Sequence, residues 1–323
     1  MNKKNFLILL VVAVVVIAGG VYMSKRSSAG ERVVKIGHIK GAIINLPEDV
    51  LRASKILENK GVKYQFVDTA SSNEAYEAVV RGDIDVLSLV SLLPVLANVH
   101  KQPDVLKIFG TTDLAIEQRY DTILVKSGSP IQTLTDISGK TLKYGLFPGT
   151  THTTFTKLYL KSKGVDISNI QFIQLPPQNH LQSLESGAID VLGTYDPMTS
   201  LGLATGNYRE LGYSVYANIY DHTPLGAGII NTKFMNTYPD LAKKVVLAHQ
   251  EAYDLMISDS VNTYKVIADA YKIEKSIAEK VRIPAYATQI HFDKANLQKL
   301  VDYLYELKEI PQKVDTSKLI VEY

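Results

Sequence analysis

The chain has 323 residues, 46% of them hydrophobic, and its 35 lysines and arginines nearly balance its 33 aspartates and glutamates. This length suffices for two domains with a sizeable core. A net charge of +2 does not produce the strong positive field of nucleic-acid binders, so we expect no nucleic-acid partner. Cysteine is absent, which excludes disulfides, cysteine-ligated zinc, a thiol nucleophile and a lipid-bearing cysteine.

The first predicted element is an export segment at the N-terminus. Two lysines precede an apolar run over residues 6–23, and "SKRSSAG" places Ser27 and Ala29 in a small-x-small cleavage pattern. An apolar run of about 18 residues is longer than the apolar core of a typical signal peptide and slightly shorter than a membrane-spanning helix of about 20 residues. Residues 1–29 are therefore predicted to be either a cleaved signal peptide or a retained membrane anchor. Both place the protein outside the cytoplasm, in the periplasm or at the cell surface.

Short apolar runs alternate with amphipathic stretches after residue 30. The first four predicted elements are a strand, a helix, a strand and a helix, in "RVVKIGHI", "LPEDVLRASKILENKG", "VKYQFVD" and "NEAYEAVVRG". A second series follows, with strands in "YDTILVK", "GKTLKYGLF", "IQFIQL" and "IDVLGTY" and helices in "TTFTKLYLKSKG" and "HLQSLESG". This alternation is typical of parallel α/β sheets, so we predict an α/β fold with two similar lobes.

A short repeat relates the two series. "RGDIDVLSLVS" at residues 81–91 and "SGAIDVLGTYD" at residues 186–196 each combine a glycine that ends a helix with a buried strand. Asp85 and Asp190 begin these strands and are predicted to bond turn amides instead of catalysing a reaction. Ligands of open α/β sheets bind beyond the carboxyl ends of the strands, so two facing units predict a two-sided cleft. The candidate ligand contacts near these strand ends are Ser88, Ser91 and Tyr195.

The loop "FPGTTHTTF" precedes a predicted helix whose apolar face includes Phe155 and Tyr159. The free amides and the dipole of a helix N-terminus bind anions, so Thr150, Thr151 and His152 are candidates to hold a sulfonate, nitrate or carboxylate. Simple capping of the helix by the hydroxyl groups is the alternative, and the two roles can coexist.

Further candidates lie in the loops of the first unit. Ser71 and Glu74 have the spacing of a capping box, and Ser72 in the same loop is a ligand candidate. His38 and Lys40 follow the first strand at its carboxyl end. Lys40 either meets the ligand or is a solvated surface lysine.

The string "TYDPM" offers one more candidate. Asp196 and Pro197 have the order of a helix N-cap and first helical residue, whereas Tyr195 either contacts ligand through its ring and hydroxyl or packs in the core.

Other short motifs do not indicate a catalytic or metal site. "GKT" has Leu134 where a phosphate loop needs glycine, and the seven histidines are scattered. We therefore expect no catalytic residues, no metal and no cofactor.

The string "GKTLKYGLFPGTTHTTFTKLYLKSKGVDISNIQFIQLPPQNHLQSLESGAIDVLGTYDP" resembles the central part of solute-binding proteins of nitrate, sulfonate and taurine ABC transporters. The resemblance extends back to "AVVRGDIDVLSL" and forward to "GIINTKFMNTYPDLAKKVVLAHQEAYDLMI", covering most of residues 33–270. It implies a type 2 periplasmic binding protein fold with a ligand cleft between two lobes. Lobe I is predicted over residues 30–121 and 222–323 and lobe II over residues 122–221, with a hinge at two crossings near "RYDTILV" and "YDHTPLG".

The resemblance also implies a function. It indicates a monomeric extracytoplasmic receptor that closes on a small, anionic ligand and presents it to the membrane permease and ATPase of an ABC importer. One alternative is an exported receptor that senses a ligand. Another is an enzyme on the same fold that acts on a small molecule such as a thiamine-pyrimidine precursor, although the related synthases depend on a cysteine-rich motif that this chain lacks.

Overall fold

The computed structural model describes residues 32–39, 43–288, 293–321 and 323. The predicted export segment, residues 1–29, and the ligand candidate Lys40 lie outside the described residues. The strands are β1 (Val34–Ile39), β2 (Tyr64–Thr69), β3 (Val86–Ser91), β4 (Leu106–Asp113), β5 (Asp121–Lys126), β6 (Leu142–Leu146), β7 (Ile170–Gln174), β8 (Val191–Tyr195), β9 (Tyr208–Tyr213), β10 (Gly226–Asn231) and β11 (Ala285–Thr288).

The α-helices cover both faces of the sheets that these strands form. They are α1 (Leu46–Ala53), α2 (Ile56–Asn59), α3 (Ser72–Arg81), α4 (Leu92–Asn98), α5 (Thr150–Ser162), α6 (His180–Glu185), α7 (Met198–Ala204), α8 (Thr232–Thr237), α9 (Pro239–Ser258), α10 (Ser260–Tyr271), α11 (Lys275–Ala278) and α12 (Lys294–Glu306). The fold is therefore α/β, as the alternation of strands and helices predicts.

The strands form two sheets of equivalent topology. The first sheet has the order β2-β1-β3-β10-β4-β11 and the second has the order β7-β6-β8-β5-β9. The parallel triplets β2-β1-β3 and β7-β6-β8 are the predicted α/β repeats. The sheets are mixed and not wholly parallel, because β10 is antiparallel to β3 and β5 is antiparallel to β8. Each of these two strands enters directly from the other sheet, without the crossover helix that parallel pairing of sequential strands requires.

Two segments carry the chain between the sheets, one after β4 and one after β9. They are hydrogen bonded to each other, since Leu114 N donates to Thr223 O at 3.1 Å and Thr223 N donates to Leu114 O at 2.9 Å. The segments therefore run side by side as an antiparallel bridge. The lobe boundaries predicted from the sequence remain predictions, and these crossings lie next to them.

The sequence repeat corresponds to a repeated backbone clamp. Asp85 N donates to Lys35 O at 2.8 Å, and the Asp85 carboxylate accepts from Lys35 N at 2.9 Å. Asp190 makes the same pair of bonds with Lys143, at 2.9 Å and 2.8 Å. Each aspartate thus ties the start of its strand to the neighbouring parallel strand. The predicted bonding to a backbone amide is present, but the amide lies in the neighbouring strand and not in the turn.

The two clamps differ in their surroundings, which gives a test of their relative strength. Asp85 is buried and also accepts two 2.8 Å bonds from the Arg32 guanidinium, whereas Asp190 is exposed. We expect Asp85→Ala to lower the free energy of unfolding by roughly 3 kcal/mol and Asp190→Ala by roughly 1 kcal/mol. Asp83→Ala, which removes only an exposed pair with Arg81, is the control and should change stability little. Urea denaturation measures all three, and equal losses at Asp85 and Asp190 would contradict this account.

One predicted helix is divided in the structure. The segment "LPEDVLRASKILENKG" forms α1 and α2, which are separated at Lys55, a residue with a φ of 53° in the left-handed region. The predicted glycine at the end of this segment, Gly61, has a φ of 69°, and Gly82 at the end of α3 has a φ of 80°. Glycine adopts this backbone conformation without the strain that a Cβ atom causes, which is why both helices end there.

Candidate ligand-binding site

A pocket lies between the two sheets, where β3, β6 and β8 end and β10 begins. The volume open to the centre of a water-sized sphere is about 50 Å³. Apart from three tyrosines, the lining residues that carry hydrogen-bonding side chains are Ser72, Asn73, Ser91, Thr112, Thr150, Thr151 and His152. The remaining wall is aromatic and aliphatic and includes Tyr120, Phe147, Tyr195, Tyr216, Leu114 and Leu225. The pocket therefore combines a polar side with an apolar side.

The N-terminus of α5 is one polar wall of this pocket. The N-cap residue is Gly149, whose φ of 127° is open only to glycine, and no side chain caps the helix. Thr150 and Thr151 are the first two helical residues, so their hydroxyls do not act as the cap that the sequence left as the alternative. The first N–H groups of a helix have no intrahelical acceptor, and the helix dipole gives this end a partial positive charge. This wall is suited to an anion.

Thr151 carries a second donor at the same place. Its side chain is 4% exposed, and its Oγ1 has no hydrogen-bond partner among the described residues. A buried hydroxyl without a partner costs roughly 1–3 kcal/mol. An acceptor atom of a bound molecule in the pocket would remove that cost.

His152 contributes a donor whose orientation follows from its neighbours. Phe147 N donates to His152 Nδ1 at 3.2 Å, so the proton of the neutral ring is on Nε2. Burial, together with a smaller effect of nearby His180, lowers the pKa of His152 to about 3, so the ring is neutral at physiological pH. His152 therefore offers the pocket an N–H group without a charge.

The N-terminus of α3 approaches the pocket from the other sheet. Ser71 Oγ accepts from Glu74 N at 3.2 Å, and the Glu74 carboxylate accepts from Ala70 N at 2.8 Å, so the predicted cap is present. Ser72 lies inside the first turn, where its Oγ is 3.3 Å from Ser91 Oγ. Two helix N-termini from opposite sheets thus meet at one pocket.

Stacked aromatic rings form the apolar wall. The rings of Tyr120 and Tyr195 are 5.5 Å apart and nearly parallel, with an interplanar angle of 10°. Phe147 lies 5.1 Å from Tyr195, and Tyr216 lies 5.8 Å from His152. Burial raises the pKa of Tyr195 and of Tyr216 well above the usual value, so both phenols stay neutral. Tyr195 packs in the core and also lines the pocket, so the predicted contact of Tyr195 with a ligand stays a prediction.

The described residues that line the pocket carry no formal charge at neutral pH. No lysine, arginine, aspartate or glutamate is among the lining residues in the part of the chain that the structure describes. Positive potential comes instead from the helix ends, and hydrogen-bond donation comes from amides, hydroxyls and the His152 ring. Such a donor set can hold a singly charged oxyanion without a counter-ion of the protein.

The structure brings most of the predicted ligand residues together. Ser72, Ser91, Thr150, Thr151, His152 and Tyr195 all line the pocket. His38 does not, because its Nδ1 is 3.0 Å from an Asp68 carboxylate oxygen on β2. Ser88 does not line the pocket either. It is a fully buried residue of β3, and its amide donates to Glu48 Oε1 at 2.9 Å.

Four lining residues with polar side chains were not among the sequence candidates. Tyr120 and Tyr216 come from the two segments that cross between the sheets, Thr112 is the penultimate residue of β4, and Asn73 follows Ser72 in α3. Only Asn73 had a local signal, because it shares the capping-box loop. The other three reach the pocket through strand pairing and chain crossing, which no short motif in the sequence encodes.

Contacts on the far side of the pocket hold the two sheets together. The Asp196 carboxylate accepts from Ser200 N and from Arg282 N, each at 2.9 Å, and Ser200 Oγ donates to Lys280 O at 3.1 Å. Asp196 therefore joins the second sheet to the segment that leads into β11. Helix α7 begins at Met198 with Pro197 as its N-cap, one position later than "TYDPM" predicts.

Neither a metal site nor a membrane-spanning helix occurs in the described ranges 32–39, 43–288 and 293–321. No group of three or more histidine or carboxylate side chains is placed to hold a metal ion there. None of the helices in those ranges has the length and apolar character needed to cross a membrane.

Comparisons with known proteins give a consistent set of similarities. The model of the NMT1-like family matches residues 31–270. The putative aliphatic sulfonates-binding protein of Bacillus subtilis (strain 168) is 23% identical over 274 residues, which cover 81% of this chain and 77% of that protein.

Solved structures agree in fold. The alkanesulfonate-binding protein SsuA from Xanthomonas axonopodis pv. citri, bound to MOPS, has a TM-score of 0.73 at 19% identity and covers 89% of this chain and 97% of its own. The periplasmic nitrate-binding protein NrtA from Synechocystis PCC 6803 has a TM-score of 0.69 at 14% identity and covers 88% of this chain and 83% of its own.

Proposed function

Because the chain belongs to the NMT1-like family, we propose that it is the extracytoplasmic solute-binding receptor of an ABC importer and captures a small anion between two lobes. The observation that carries this proposal is the uncapped N-terminus of α5, with the unpartnered hydroxyl of Thr151 beside it. Both supply donors that a bound acceptor can use. The relatives named for sulfonate and nitrate binding support an oxyanion as that acceptor.

The lobes of this proposal are the two sheets with their helices, with boundaries at residues 30–121, 122–221 and 222–323. The paired crossings beside Leu114 and Thr223 are the proposed hinge. Tyr195 of the second sheet and Phe147 and Phe155, which follow β6, pack into the same apolar cluster as the core of the first sheet, which supports the proposal that the two lobes close on one another. Ligand binding between the lobes would favour this arrangement over an open one.

A permease and its ATPase are the proposed partners, and the receptor is proposed to act as a monomer outside the cytoplasm. Catalysis is not part of the proposal. Among the described residues that line the pocket there is no carboxylate, no cysteine and no histidine that is protonated at neutral pH, so they lack an evident general acid and a thiol nucleophile. Conversion of a bound anion into a product by the purified protein would contradict this part.

A thermal-shift panel tests the proposed ligand class. A ligand that binds only the folded protein raises its stability by RT ln(1 + [L]/Kd), or roughly 2.7 kcal/mol at a hundredfold excess over Kd. We expect at least one of methanesulfonate, nitrate, bicarbonate or acetate to raise the midpoint at concentrations where chloride does not. A panel in which only neutral compounds act would remove the anion from the proposal.

Solution scattering tests the proposed closure separately. We expect the radius of gyration of the purified extracytoplasmic chain to fall when the ligand from the panel is added, because the lobes approach one another across the pocket. An unchanged radius at saturating ligand would contradict the hinge and leave the ligand class intact.

A further inference from the structure

We infer that Glu48 and Tyr253 are positioning residues of the ligand pocket, which hold the end of β3 in place through the backbone amide and carbonyl of Ser88. Neither side chain lines the pocket, so their effect on a ligand would pass through β3. The inference rests on the proposed function, because the position of this strand affects binding only if the pocket holds a ligand.

Strand β3 loses its regular pairing at Ser88. The register with β10 shifts between Leu87 and Val90. Two residues of β3, of which Ser88 is the first, therefore lie opposite the single residue Gly228, which is the arrangement of a β-bulge. The pairing with β1 on the other side includes only Val86. Because Ser88 is fully buried, its backbone groups need partners from outside the sheet.

Two helices supply those partners. Glu48 Oε1 of α1 accepts from Ser88 N at 2.9 Å, and the hydroxyl of Tyr253 in α9 donates to Ser88 O at 2.9 Å. Both side chains are buried. The Tyr253 ring is also stacked on Tyr286, with a centroid distance of 5.2 Å and an interplanar angle of 16°. The two backbone groups of Ser88 are thus bonded to side chains that packing holds in place.

The wall of the pocket begins at the next residue of β3. Leu89, Val90 and Ser91 all line the pocket. Ser91 Oγ lies 3.3 Å from Ser72 Oγ, so the position of this strand also sets its contact with the N-terminus of α3. A shift of the backbone at Ser88 would therefore displace the wall that the first sheet contributes.

In the second sheet the equivalent strand is regular. The sequence repeat aligns Ser88 with Gly193 of β8, and β8 pairs with β5 without a register shift from Leu192 to Tyr195. The topology that the two sheets share therefore does not itself require a bulge with side-chain partners. This difference favours a role in shaping the pocket wall of the first sheet over a general role in the fold.

The test is calorimetric titration of methanesulfonate, nitrate, bicarbonate and acetate at neutral pH into the purified extracytoplasmic chain and its variants. Tyr253→Phe removes one hydroxyl group, and Glu48→Leu removes the acceptor of Ser88 N. We expect each to raise the Kd of the anion that binds the wild type most tightly by roughly 3- to 10-fold, the effect of one lost hydrogen bond. Glu48→Gln keeps an acceptor for Ser88 N and should restore the wild-type Kd.

Two control variants separate this role from general stability. Tyr144→Phe removes the hydroxyl of a fully buried tyrosine of β6 that lies outside the pocket lining, and it should leave the Kd unchanged. Asp85→Ala removes the bond to Lys35 N just before β3 without touching Ser88, so it should lower stability and leave the Kd of the folded protein unchanged.

Hydrogen exchange supplies a measurement that needs no ligand. The amides of residues 86–91 should exchange faster in Tyr253→Phe than in the wild type, because the strand is released at Ser88, whereas the amides of residues 191–195 in β8 should keep their rate. Glu48→Gln should match the wild type in both peptides.

The outcomes separate this inference from the proposed function. Wild-type Kd values in folded Tyr253→Phe and Glu48→Leu proteins would overturn the inference and leave anion capture intact. An equal rise of the Kd in Asp85→Ala, or in Glu48→Gln, would overturn it as well. If Glu48→Leu does not fold, an unchanged Kd in Tyr253→Phe decides against the inference alone. Absence of binding of all four anions by the wild type would overturn the proposed function, and equal exchange of residues 86–91 in Tyr253→Phe and the wild type would overturn the hold on β3 independently.

Discussion

Replacing Thr151 with glutamate is expected to weaken the binding of an anionic ligand by more than a hundredfold. Thr151 lies in the first turn of α5 and its side chain is 4% exposed in the closed pocket, so the new carboxylate would share the site with the bound anion. Like charges brought together in a desolvated interface cost several kcal/mol. The substitution should leave the fold intact, because a glutamate in the first turn of a helix is compatible with the dipole and reaches water when the lobes open.

Two companion variants separate charge from position. Thr151→Val removes only the hydroxyl and should weaken binding by roughly tenfold, the effect of one lost hydrogen bond. Thr153→Glu places the same charge two residues later, at a residue outside the pocket lining, and should weaken binding by much less than Thr151→Glu. Titration calorimetry of the three proteins is the measurement. Equal effects of Thr151→Glu and Thr153→Glu would place the anion away from the start of α5.

The second large effect is expected from a buried carboxyl that does not line the pocket. Glu48 on α1 is 1% exposed, its Oε1 accepts from Ser88 N at 2.9 Å, and its Oε2 has no partner among the described residues. Burial raises the pKa of Glu48 from 4.5 to about 8, more than the hydrogen bonds from Ser88 lower it. The folded protein therefore keeps a proton on Glu48 at neutral pH that the unfolded chain releases.

The sign of the pH dependence follows from this difference. Between pH 4.5 and 8 the folded state binds more protons at Glu48 than the unfolded state does, so the free energy of unfolding falls as the pH rises. The whole loss due to Glu48 is reached above pH 8. A shift of this size corresponds to roughly 5 kcal/mol. Asp121, whose pKa burial raises to about 7, acts in the same direction.

Glu48→Gln should remove most of this dependence. The amide oxygen can still accept from Ser88 N, and the variant carries no carboxyl to ionise. We expect denaturation at pH 9 to find Glu48→Gln more stable than the wild type by several kcal/mol, up to roughly 5 kcal/mol, and the two proteins to differ little at pH 4.5. Parallel pH profiles for the two proteins would show that Glu48 ionises with an ordinary pKa.

Much of the fold could be predicted because its signals are local. Glycines that end helices, the cap at Ser71 and the paired aspartates Asp85 and Asp190 each follow from a few neighbouring residues. The break at Lys55 has no such signal, because no glycine or proline marks it. The antiparallel pairing of β5 with β8 and of β10 with β3 depends on which sheet the chain joins after it leaves the other one. Tertiary packing, and not a local sequence signal, determines that sheet.

The candidate site shows the same division. Thr150, Thr151 and His152 were predicted because a glycine-led helix start is visible in the sequence, and all three line the pocket. Tyr120 and Tyr216 were not predicted, because a tyrosine in a connecting segment looks the same whether it faces solvent or a cleft. His38 was expected at the cleft from its position after β1, but a neighbouring carboxylate on β2 holds its ring elsewhere.

The paired crossings determine how the proposed closure can proceed. Leu114 and Thr223 exchange two backbone hydrogen bonds. The two connecting segments are therefore coupled and must bend together in the proposed closure. Independent bending of one segment would twist the lobes about their long axis and would break both bonds. Rotation about a single axis leaves the bonds intact. The N-termini of α3 and α5 would then approach each other along one path and reach the same relative position in every closure. The selectivity of the proposed receptor would therefore depend on the hinge as well as on the side chains of the pocket.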